Sequence, residues 1–192
     1  MLRKIFQFAF ISVVLCLSGQ AFGQRGVVSS AQQISGDTFT VSVTTPKGAR
    51  VYGVKRPSAA VLNAIDNGLT ELFAVARKNR YRNRLNYSDY SVFIAKADRT
   101  KNGSGEYSPD IAVGAAQYAE SVYDQGGFIY AAGMVISNDP AAFLIADHTK
   151  DLGRLSNVVR YEGEHLVLYH NDRRRYLETM DHSKGGSHPI LQ

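Results

Sequence analysis

Cys16 is the only cysteine in this chain of 192 residues, and it sits in a stretch that reads as a removable leader. Whatever folds downstream must therefore do so without a disulfide, on buried apolar surface alone. Arg3 and Lys4 form a short positive segment, and Ile5 to Leu17 is apolar apart from Gln7 and Ser12. Ser18, Gly19 and Gln20 lead into Ala21-Phe22-Gly23, with small residues at its first and third positions. That order is the order of a secretory signal. The apolar run is well short of the roughly 20 residues that span a bilayer, and the bulky Leu15 before Cys16 argues against lipid attachment. Cleavage is expected after Gly23, with residues 1–23 removed and the product secreted or periplasmic.

The remaining 169 residues are enough for one domain, since a chain of about 150 residues buries some two-thirds of its unfolded surface. Losing Arg3 and Lys4 lowers the net charge from +5 to +3. So mild a charge does not point to nucleic acid, and no stretch predicts an integral membrane protein. Without cysteine there is no thiol nucleophile and no thiolate metal site.

Residues 24–56 are rich in Ser, Thr, Gln and Gly and read as a lead-in, partly strand or disordered, with Phe39–Val43 alternating as a half-buried strand does. A single domain is expected over 57–192. Pro57-Ser58 opens a helix whose stripe is Val61, Leu62, Ile65, Leu69, Leu72, Phe73 and Ala76. Its basic end runs on through Lys78–Arg84, read as a solvated helix terminus. Tyr90–Ala97, Asp110–Val113, Phe128–Ile136 and Ala142–Ala146 read as strands. Turn chemistry separates them at Lys101–Gly105, Gln125–Gly127 and Asn138–Pro140. A second helix is expected over about Leu152–Tyr169, a break or cap at Asn171-Asp172, and a short helix over Arg173–Met180. The fold class is α+β, a mostly antiparallel sheet packed with two main helices.

Chemistry concentrates near the C-terminus. Of the five histidines, His165, His170, His182 and His188 fall within 24 residues, while His148 follows the last strand. The second helix carries Tyr161-Glu162-Gly163-Glu164-His165, in which positions 161 and 165 share a face and Glu162 neighbours His165. A carboxylate at the edge of a core is costly unless paired or bound to a cation.

This segment resembles the active-site helix of zincin metallopeptidases, whose signature is His-Glu-x-x-His. Glu162 matches the catalytic glutamate and His165 the second histidine, while Tyr161 stands where the first histidine would be. The order of helix, sheet and helix is similar to the zincin layout. The resemblance implies a zinc ion, a catalytic Glu162, a metal ligand in His165, and a further ligand downstream. His182 and His188 would serve, brought back by a turn at Gly185-Gly186. It also implies a peptide or protein substrate paired along the edge strand. If Glu162 is itself a ligand, Glu164 or Asp181 is left for proton transfer.

Two other readings stand beside it. In a non-catalytic exported domain, Glu162 would pair with Arg160 or with one of Arg173, Arg174 and Arg175, and His165 would be a satisfied core residue. In an anion-binding module, Lys78–Arg84 and Arg173–Arg175 would carry the binding. Ser183, beside His182 and Asp181, cannot form a hydrolytic triad from adjacent loop positions. Glu162 and Glu164 point to different helix faces, unlike a glycosidase pair.

Overall fold

The computed structural model describes residues 26–96, 110–119, 127–182 and 186–191. The expected leader, residues 1–23, the Lys101–Gly105 turn and Ser183 lie outside the described residues. Two helices and a sheet form the frame. Helix α1 covers 26–35, strand β1 Val41–Thr44, β2 Arg50–Gly53, helix α2 Ala59–Lys78 and β3 Tyr90–Ala95. Then follow β4 Ile111–Gly114, the short α3 Ala115–Tyr118, β5 Phe128–Ala131, β6 Gly133–Ser137 and β7 Ala141–Ala146. Helices α4 Leu152–Asn171 and α5 Arg173–Thr179 complete the order.

The fold is α+β, and α2 and α4 are its two main helices, packed against each other. The main sheet has five strands in the order β1-β2-β3-β7-β6, and β4 pairs with β5 in a ribbon of two. Both outer pairings of the main sheet are antiparallel, but β2–β3 and β3–β7 are parallel. The sheet is thus mixed rather than mostly antiparallel at its centre. The β2–β3 pair is parallel because α2 carries the chain back over the sheet between the two strands, and β2 follows the expected strand of the lead-in rather than coinciding with it.

Central strands carry the core on both faces. Along β7, Ala141, Phe143 and Ile145 face α2 and α4, and Ala142, Leu144 and Ala146 face α1 and the ribbon. Strand side chains alternate in this way, and only a strand covered on both sides can be apolar throughout. The continuous runs YSVFIA and AAFLIA are therefore the mark of buried parallel strands. Within residues 26–35, Val27, Ala31 and Ile34 of α1 are buried at helical spacing beneath the sheet.

Local chemistry sets the helix ends. Ser58 caps α2 by accepting the Val61 N–H, Asp151 caps α4 through the Arg154 N–H, and Asp172 caps α5 through the Arg175 N–H. Each satisfies a backbone donor that the first helical turn leaves without a partner. The apolar stretch Phe128–Ile136 breaks at Ala132, so its halves enter different sheets. Helices α2 and α4 approach closely at Gly163, where an added Cβ would collide with the Leu72 side chain. Among the described residues, no helix is long and apolar enough to cross a membrane.

Candidate metal centre

Helix α4 lies with its apolar stripe on the sheet and on α2, and its other flank is covered by the chain returning after α5. His165 projects from α4 into that seam and is 2 % exposed. His182 and His188 come from the returning tail. The three rings lie with centroids 4.9 to 5.1 Å apart, and one potential ligand atom from each falls within 4.8 Å of the others. The Nε2 atoms of His165 and His182 are 3.2 Å apart. That spacing serves a hydrogen bond, and it also matches two nitrogens on a tetrahedral zinc, about 3.3 Å apart for Zn–N bonds of about 2.05 Å.

Glu164 is fully buried and organises the tail. Its Oε1 accepts the Ile190 N–H at 3.0 Å, and its Oε2 lies 3.6 Å from Nδ1 of His188. Ile190, next to Pro189, is 4 % exposed and joins the main core. The Gly186 N–H donates to the Asp181 carbonyl, and the Leu191 N–H to that of His188, closing two small turns. Buried polar atoms remain here without hydrogen-bond partners among the described residues: Oε2 of Glu164 and Nδ1 of both His165 and His188. Such atoms are uncommon in a folded interior and mark a place where a ligand or ion would be welcome.

The electrostatics favour the neutral form of His165 and of His182. Burial, reinforced by His188 and then His182, pushes the His165 imidazole down to about 3. Burial and His188 also lower His182, against the opposing pull of Asp181 and Glu164. A neutral imidazole is the form that binds a metal, so no proton stands in the way near pH 7.

Of the site residues expected from sequence, His165, His182 and His188 come together, and a metal ion could be held there. Glu162 is turned elsewhere. It points at β6, where a Cβ on Gly133 would come within 2.6 Å of its Cγ and 2.9 Å of its Oε1. Tyr161, at the position of the missing histidine, is 37 % exposed with its ring 4.7 Å from that of His188. The tail histidines thus occupy the neighbourhood that a residue at 161 would have served. Arg160 pairs with Glu71 at 2.9 Å. The other histidines stand apart: His170 meets the Asn138 carbonyl at 2.8 Å, and His148 lies 3.2 Å from Asp110, itself bonded to Arg154.

No protein family, no curated protein and no solved structure matches this chain. The zincin likeness is accordingly carried by the residues of α4 and the tail alone. Glu164 was the least legible member of the site. The sequence offers it only as an alternative to Glu162 for proton transfer, while its contact with the tail depends on the docking of Ile190.

The two basic stretches also converge. Backbone N–H groups of Arg82 and Asn83 both donate to Oδ1 of Asn171 at 2.9 Å. Arg84 pairs with Asp139, Arg174 with Glu178, and Arg175 reaches the Tyr81 hydroxyl. The Asn171 and Tyr81 contacts tie the segment after α2 to the end of α4 and the start of α5, while Arg84 reaches the turn between β6 and β7 and the Arg174 pair lies within α5.

Proposed function

We propose that this chain is an exported zinc-dependent hydrolase acting on peptides, with His165, His182 and His188 as its metal ligands. One observation carries the reading: helix α4 and the tail bring three imidazoles together, with one possible ligand atom from each within 4.8 Å of the others. Three imidazoles with a remaining open position form a donor set suited to catalytic zinc, which supplies Lewis-acid polarisation and an acidified water. The chain's own groups would do the rest. His165 anchors the centre to the rigid α4, while the exposed His182 marks the side open to solvent. Glu162, three residues from His165, is the candidate base that the helix motif offers, and to serve it would have to turn from Gly133 toward the ion. Strand β6, which among the described residues pairs only with β7, offers an edge along which a peptide backbone could add.

A second reading is favoured by the contact of Glu162 with Gly133 and by its position outside the three-histidine group. In it, the domain is non-catalytic, and the Glu and His side chains form a structural polar network. Elemental analysis of protein purified without chelator tests both. About one equivalent of zinc, lost in His165→Ala and His182→Ala, together with chelator-sensitive peptide hydrolysis, supports the enzyme. Zinc without hydrolysis supports the second reading. No metal, and no thermal shift on adding zinc, sinks the zinc centre.

A further inference from the structure

A three-histidine centre leaves Glu164 unexplained, although it is the most deeply buried ionisable group beside the site. On a helix, consecutive residues point about 100° apart, so Glu164 and His165 do not converge on one ion. An ionised carboxylate removed from water is retained at large cost unless its oxygens are satisfied. Here one oxygen is satisfied by the Ile190 N–H, and the other faces Nδ1 of His188 at 3.6 Å with no bond made by either atom. Closing that gap to about 2.8 Å would create a charge-assisted hydrogen bond. With its hydrogen on Nδ1, His188 would hold the Nε2 lone pair free for a metal. Ligating histidines are commonly oriented by such a carboxylate on the opposite ring nitrogen.

We propose that Glu164 is the positioning residue of the centre. It clamps the tail through Oε1 and orients His188 through Oε2, so that metal occupancy and docking of the tail on α4 are one event. This rests on the three-histidine reading above. Two of the three ligands lie in residues 182–188 and the third on α4, so the tail cannot leave while the ion is held by all three. The fold thereby makes exposure of His165, buried on the α4 flank, dependent on metal.

The amide of Ile190 reports this directly, because it is bonded to Glu164 itself. Its hydrogen exchange is measured by NMR at fixed pH in chelator-treated protein, and again with zinc at about 100 times its Kd. Exchange is expected to slow by about 100-fold, since opening must wait for the metal to leave. Glu164→Gln keeps the acceptor for Ile190 but places an NH2 donor against Nδ1 of His188, which forces the hydrogen onto Nε2. Zinc affinity should fall by about 10- to 100-fold, the usual effect of losing such an outer partner, with Ile190 protection in the metal-free protein unchanged. If zinc binds the wild type yet leaves Ile190 exchange unaltered, or binds Glu164→Gln equally well, the proposal is overturned and the metal centre stands. If zinc does not bind the wild type, both fail together. Should Glu164→Gln not fold, the wild-type exchange measurement decides by itself.

Discussion

Acid sensitivity of the metal-free protein tests the buried state of His165. The perturbation is a fall from about pH 7.5 to about pH 4.5 in the presence of chelator, compared between the wild type and His165→Leu. In the unfolded chain this imidazole titrates at 6.5, and in the fold at about 3. Between those values the unfolded chain holds a proton that the folded chain does not, so stability falls as pH falls. The sign follows from the depressed folded value: the full stability is present above 6.5 and is lost progressively toward 3. One pKa unit corresponds to about 1.4 kcal/mol, and integration over the stated range gives a loss on the order of 2–3 kcal/mol from His165 alone. For a domain of this size that is a drop in Tm of roughly 5–10 °C. His182, also lowered, adds in the same direction. Leucine removes the titration while roughly keeping the volume, and carboxylates contribute equally to both proteins, so the difference in slope isolates His165. Differential scanning calorimetry at several pH values reads it. Equal acid slopes in the two proteins would refute the placement of a neutral imidazole in the seam between α4 and the tail.

Two further substitutions probe the frame and the motif. Gly68→Ala places a methyl group of α2 against the Ser156 backbone carbonyl and the Val159 Cβ of α4. The overpacking outweighs the roughly 1 kcal/mol that alanine gains over glycine in a helix, leaving a net cost of about 1–2 kcal/mol, read as a lower urea midpoint with an unchanged m-value; a stabilised variant would show that α2 and α4 do not approach as closely as described. Tyr161→His restores the missing motif histidine beside the His188 ring. Zinc affinity by competition titration should rise by more than the roughly tenfold that an outer-shell partner commands, and an unchanged Kd would remove the zincin reading of position 161.

How much of this was legible in the chain varies by element, and the differences have causes. The helices α2 and α4 could be read because their stripes, caps and ends are local: Ser58 before the first turn, Asp172 after the last, and apolar residues at three- and four-residue steps. The strands β3 and β7 could be read as strands for the same reason. Their direction could not, because it depends on the crossovers: α2 returns the chain between β2 and β3, and β4, β5 and β6 intervene between β3 and β7. Likewise α1 escaped notice because its short stripe of Val27, Ala31 and Ile34 lies in polar surroundings, and only the sheet above it makes those residues a core face.

The site divides in the same way. Residue types and their crowding near the C-terminus already singled out His165, His182 and His188 as candidate metal ligands, because few side chains bind zinc and these are concentrated there, and the structure brings the three together where an ion could be held. Tertiary structure decided the division of labour between the two glutamates. Side chains two positions apart on a helix point to opposite sides, so packing assigns each a different neighbour. Glu162 meets Gly133 of β6, and Glu164 meets the backbone of Ile190. The helix motif alone favours Glu162. Only the returning tail, held down by the burial of Ile190, makes Glu164 the carboxylate that faces a histidine of the cluster.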